Sequence, residues 1–129
     1  MDYDPLVIEQ GAEFIRRFDE YYPVVVAFWP RRDEEDFHYF YVASTEISSD
    51  NRGQAYSRLA LILSEMHPCY LNSDRILLIS DQDRFAVAAS GYNQQANMAT
   101  TLQTVPFGNR YILDCYIYPQ LMSPSFPRR

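Results

Sequence analysis

The run Val24-Val25-Val26-Ala27-Phe28-Trp29 decides how this chain folds. It is continuously apolar, β-branched at its start and aromatic at its end, and it reads as a buried strand. Downstream, Pro30-Arg31-Arg32-Asp33-Glu34-Glu35-Asp36 is entirely polar or structure-breaking. Phe37 to Thr45 then alternates, with Phe37, Tyr39, Tyr41 and Ala43 on one face and His38, Phe40 and Val42 on the other. Two strands joined by a solvated charged loop predict a hairpin. Upstream, Asp4-Pro5 has the form of a helix start, an N-cap followed by proline in the first turn. Val7, Gly11, Phe14, Ile15, Phe18, Tyr21 and Tyr22 recur at helical spacing opposite a charged face, and the helix must stop before Pro23. Gly11 weakens that helix and marks a place of close packing.

Beyond the hairpin, Ser48-Ser49-Asp50-Asn51 is a turn and capping cluster. Ala55, Tyr56, Leu59, Ile62, Leu63 and Met66 give a second helix that ends at His67-Pro68. Arg75 to Ser80 is a short apolar strand. Asp81-Gln82-Asp83 offers an N-cap to a third helix through Phe85, Ala86, Ala88 and Ala89. The period alone also permits a strand there, and the alanines with the capping aspartate favour the helix. Asn93 to Gly108 is polar, broken by Pro106, and takes no defined element. Arg110 to Tyr118 is a last strand, with Tyr111, Leu113, Cys115 and Ile117 on one face and Asp114, Tyr116 and Tyr118 on the other. The expected fold is α+β: one domain over residues 1–118, a sheet of about four strands, antiparallel or mixed, and two or three covering helices. Residues 119–129, with Pro124, Pro127 and two terminal arginines, are expected to form a flexible tail.

Composition narrows the function. With 129 residues the chain has room for one core. The formal charge is −6, which disfavours binding to phosphate backbones. All 11 basic residues are arginine, so a Schiff-base lysine and a P-loop lysine are both excluded. The longest apolar runs fall far short of the ~20 residues of a membrane helix, and the acidic N-terminus lacks the pattern of a secretory signal. Two cysteines, Cys69 and Cys115, suit a reducing compartment. The expectation is a cytoplasmic protein with no membrane, no nucleic acid and no cofactor.

The stretch Tyr39-Phe40-Tyr41-Val42-Ala43-Ser44, followed by Ala55-Tyr56 and by Tyr116-Ile117-Tyr118-Pro119, resembles a pattern in small uncharacterised bacterial proteins. In these a charged loop precedes a "YLYIAS" strand, an "AY" helix follows, and a "YIYP" strand closes the domain. The likeness spans residues 24 to 119. It implies a helix after Asp83 and carries no function.

Chemistry-bearing residues are sparse. A zinc site needs three or four ligands, and His67-Pro68-Cys69 is the one close His–Cys pair, without a second pair to complete it. A cysteine nucleophile would need a base in reach of Cys69 or Cys115, and no local signature supplies one. The four glycines are isolated and build no phosphate loop. Asp81 and Asp83 follow an apolar strand, where α/β sheets place ligands, and with Asp114 they form a candidate carboxylate site for Mg²⁺ or for base chemistry. The plainer account of the first two is a helix cap and a solvated turn.

Tyrosine, with 11 copies, is the unusual residue. Tyr39, Tyr41, Tyr116 and Tyr118 lie on two predicted strands. If neighbours, they would make an aromatic patch with Asp114; the plainest account is that these rings cover the core against the helices, the next is a protein interface, since tyrosine offers area and a polar tip at low entropic cost, and the last is ligand stacking. The leading expectation is a non-enzymatic accessory or interaction module acting on a protein partner or a second copy, through that face or an edge strand. The alternative is a small enzyme or ligand-binding domain centred on Asp81, Asp83 and Asp114.

Overall fold

The Val24 run is the middle of the sheet. In the computed structural model, which describes residues 4–32, 39–92, 99–108 and 110–119, it opens strand β1 (Val24–Arg31). The other elements are α1 (Pro5–Asp19), β2 (Phe40–Ser44), α2 (Arg52–Glu65), β3 (Ile76–Ser80) after a single 3₁₀ turn at Ser73–Arg75, α3 (Arg84–Tyr92), β4 (Thr100–Phe107) and β5 (Arg110–Ile117). The strands form one sheet in the order β3-β2-β1-β5-β4. All neighbours are antiparallel except β2 and β3, which run parallel across the α2 crossover. The domain is α+β with a mixed sheet. Among the described residues it has five strands, one more than expected, because β4 lies in the polar stretch before Gly108 whose pattern predicts no element. Residues 33–38, 93–98, 109 and 120–129 lie outside the described residues, and with them the charged hairpin loop, Phe37, His38 and nearly all of the expected tail.

The caps predicted for α1 and α3 are present, whereas Asn51 precedes α2 without a side-chain cap hydrogen bond and instead closes the turn, its Oδ1 accepting from the Ser48 N–H at 2.9 Å. The Asp4 carboxylate accepts from the Leu6 N–H at 2.9 Å, with Pro5 in the first turn of α1. The Asp83 carboxylate accepts from the Phe85 N–H at 2.8 Å and its carbonyl accepts from the Val87 N–H at 2.9 Å, so the stretch after Asp83 is helical. Helices α1 and α2 cover one face of the sheet over Phe14, Phe18, Trp29, Phe40, Leu59, Ile62, Ile76 and Leu78. The other face carries α3, with Ala86 and Ala89 packed near Phe28, Phe107, Ile112, Cys115 and Ile117. Burying each of the largest of these side chains contributes about 2–3 kcal/mol, and together they hold the layers.

The two neighbours of β1 use different halves of it. Val24 to Phe28 pair with β2, and Phe28 to Arg31 pair with β5. Pro30 is tolerated within this central strand because it lies beyond the last β1–β2 pair, where that side of the strand feeds no ladder. The face alternation of β4 and β5 also inverts midway. Leu102 and Cys115 pack toward α3, yet so do Val105, Phe107 and Ile112, which strict alternation would send the other way. Thr104, between Leu102 and Val105, has φ 48°, in the left-handed region, and carries the inversion within β4.

Candidate functional site

The stagger of β1 leaves a half-open cavity of about 450 Å³ on the α3 side of the sheet. Pro30 and Arg32 from the end of β1, Tyr39 and Tyr41 from the start of β2, Leu77 of β3, Phe85 of α3 and Ile112 of β5 line it. Helix α3 is nine residues long and packs on β1 and β4, so β2 and β3 are less covered on this face than on the face beneath α1 and α2. Leu77 and Ile79 of β3 and Tyr41 of β2 are half-buried as a result.

One wall of the cavity is the open end of an aromatic cluster. Tyr41 stacks on Phe28, with ring centres 5.2 Å apart and planes within 5°. Phe85 meets Tyr41 edge-on at 5.8 Å, and Phe28 and Phe85 both contact Phe107, which stacks on Tyr92 at 6.2 Å. Offset and edge-on geometries at these spacings are the favourable ones for aromatic pairs. The Tyr92 hydroxyl donates to the Pro106 carbonyl at 2.7 Å and pins the far end of α3 to β4. Gly108 makes the β4–β5 turn with φ 66°, and a Cβ there would stand 2.9 Å from the Phe85 ring. The Arg75 guanidinium, itself outside the lining, lies over the ring of Tyr39 at 5.8 Å.

The structure divides the residues singled out from sequence. Tyr39 and Tyr41 line the cavity on the α3 side, whereas Tyr116 and Tyr118 pack with the α1–α2 core, so the four tyrosines do not share a face. Tyr118 is buried; its hydroxyl accepts from the Trp29 indole N–H at 3.0 Å and donates to the Ile8 carbonyl at 2.8 Å. Burial raises the pKa of both Tyr116 and Tyr118.

The three aspartates do not meet either. Asp114 is buried in a cross-strand pair with Arg31, Nη2 to Oδ2 at 2.6 Å. Ser80 is level with Ser44 and Val24 across the sheet, whereas Asp114 is level with Arg31, seven residues further along β1. At ~3.3 Å per residue, Asp114 stands roughly 23 Å along the strand direction from the Asp81–Asp83 turn, before the sideways distance is added. Asp83 is the α3 cap. Asp81 is held in the turn by the Ser80 hydroxyl at 3.4 Å and the Gln82 amide at 3.2 Å. Among the described residues no three His, Cys, Asp or Glu side chains gather as a metal site would require.

Both cysteines are unpaired. Cys115 is buried in the α3-side cluster, paired across the ladder with Leu102, and burial, with the adjacent Asp114, pushes its thiol well above the ordinary range. Cys69 is half-buried, with its sulfur 3.8 Å from the Leu71 carbonyl.

Sequence reasoning reached Tyr39 and Tyr41 and missed Pro30, Arg32, Leu77, Phe85 and Ile112 as neighbours of one space. Periodicity assigns faces within one strand, and this cavity arises from an offset between strands. Phe85 alone carried a local signal, as a large aromatic two residues after a capping aspartate. No helix among the described residues is long and apolar enough to cross a membrane. No protein-family model, no curated protein and no solved structure matches this chain.

Proposed function

We propose that this domain is a non-enzymatic interaction module of the cytoplasm that engages a protein partner through the cavity between β2, β3 and α3. The observation that carries this reading is the unequal dressing of the sheet. Among the described residues, two helices of 15 and 14 residues cover one face, while the other has one nine-residue helix and, beside it, a cavity lined by aromatic, aliphatic and guanidinium groups. Aromatic residues and arginine are the side chains enriched where protein partners bind. Asp114 lies roughly 23 Å along the strand direction from the Asp81–Asp83 turn, and this separation supports the interaction reading over a site built on all three carboxylates. The two free thiols support a reducing compartment.

The edges of the sheet support the face as the working surface. On β3 the Leu78 N–H donates to the Tyr56 hydroxyl at 3.0 Å, so a side chain from α2 occupies the middle of that edge. On β4 the edge is interrupted by Thr104 at positive φ and by Pro106. Both are devices that discourage strand addition.

The test is site-specific photo-crosslinking in cells. A benzoylphenylalanine in place of Tyr39 is expected to yield a discrete adduct with a second protein. The same group in place of Glu65, on α2, is expected to give none. The Tyr39 adduct should disappear when Leu77→Trp fills the cavity. Equal labelling from both positions, or an adduct indifferent to Leu77→Trp, would overturn the proposal.

A further inference from the structure

We infer that the partner anchors itself by inserting one aromatic side chain into this cavity, presented on a short segment rather than on a folded face or a second copy of this chain. The inference rests on the interaction reading above and names what that partner must carry. Area sets the scale. The less covered part of the face spans β2 and β3, two strands of five residues. At ~4.8 Å between strands and ~3.3 Å per residue this amounts to roughly 160 Å². A stable interface between globular partners buries about 800 Å² on each side. A second copy docking here would obtain a small part of that, whereas a segment with one deep anchor has no such requirement, because binding energy concentrates in a few side chains that fill pockets.

The chemistry of the walls then selects the anchor. Tyr41 is immobilised between Phe28 and Phe85, and it ends a chain of contacts through Phe107 to Tyr92. A ring entering between Tyr41, Tyr39 and Phe85 would extend that cluster with the geometries it already uses. Pro30, Leu77 and Ile112 close the apolar floor. Arg32 also lines the cavity, and a guanidinium can stack on the face of an incoming ring. An aliphatic anchor would gain the burial and lose the ring contacts.

Blocked amino acids test this directly, with amide NMR shifts as the readout. N-acetyl-tryptophanamide and N-acetyl-tyrosinamide, titrated to about 10 mM because single side chains bind weakly, are expected to shift the amides of Tyr39, Tyr41, Leu77, Phe85 and Ile112. N-acetyl-leucinamide is expected to bind about fivefold more weakly, the margin an aromatic pair adds to simple burial. The Leu77→Trp chain should keep a dispersed spectrum and lose the response, and Tyr39→Ala, a change at the rim, should weaken the aromatic probes selectively. Equal binding of the leucine probe, or shifts that map elsewhere, overturn the aromatic anchor while a Tyr39 crosslink leaves the interaction reading standing. A Tyr39 adduct of twice the chain mass overturns the heterologous segment in favour of a second copy. Absence of any specific adduct overturns both.

Discussion

At the scale of single residues, the polar links inside the core are the most exposed to substitution. Tyr118 ties β5 to α1 through the Ile8 carbonyl and to β1 through Trp29, and Gly11 lies directly beneath its hydroxyl. A Cβ at position 11 would stand 2.1 Å from that oxygen and 3.0 Å from the ring carbon bearing it. Gly11→Ala, which would stabilise an exposed helix, should here displace Tyr118 and cost about 3 kcal/mol from overpacking and a broken buried hydrogen bond. Urea unfolding followed by the fluorescence of Trp29, the one tryptophan, measures it; a neutral or stabilising effect would contradict the packing. The Arg31–Asp114 pair makes a related prediction. Asp114→Ala should cost about 3 kcal/mol by leaving a buried guanidinium without its carboxylate, and the double change Arg31→Met with Asp114→Leu should cost less than the single one, because the charge left behind is what is expensive. A double change as costly as the sum of its parts would show that the two residues act independently.

At the scale of elements, the caps and the strand edges carry separable energies. Asp83→Ala removes the side-chain acceptor at the start of α3 and should lower stability by about 1 kcal/mol. Tyr56→Phe should cost about the same and, more tellingly, leave the Leu78 N–H on the β3 edge without its acceptor. Faster aggregation of the Tyr56→Phe chain than of the Asp83→Ala chain at matched stability, read by light scattering, would identify Tyr56 as an edge guard; equal rates would reduce it to an ordinary contact. Which elements form was legible wherever sequence and structure share a period. The Asp4-Pro5 start, the alternation of β2 and the Asp83 cap all act within a few residues. Strand β4 escaped because Thr101, Gln103, Thr104 and Pro106 are exposed on an edge and no apolar alternation marks them. The cavity escaped for a different reason: its lining joins residues 30 to 112, and only strand order and register bring these together.

At the scale of the whole molecule, the same burial that holds the sheet makes it sensitive to alkali. The Cys115 thiol, ordinarily ionising at 9.0, and the Tyr118 phenol, ordinarily at 10.0, both have raised pKa values in the fold, chiefly because burial disfavours their charged forms. A raised pKa means that the folded state retains a proton the unfolded state has lost. Stability is therefore fully present below about pH 9 and falls as pH climbs, with a slope of about 1.4 kcal/mol per pH unit for each group once it is ionised in the unfolded chain. With both engaged above pH 10 the slope approaches about 3 kcal/mol per unit, enough to exhaust the 5–15 kcal/mol typical of a domain within a few units. The urea midpoint should thus stay flat from pH 7 to about 8.5 and drop steeply by pH 11. Cys115→Ala should flatten the first part of that fall, at the cost of a small cavity. The same burial should hide the thiol at neutral pH, so that a disulfide reagent labels Cys69 in the native chain and reaches Cys115 only on unfolding. A midpoint unchanged to pH 11, together with rapid native labelling of Cys115, would mean that β5 is not buried between β1 and β4, and the cavity that depends on its register with β1 would go with it.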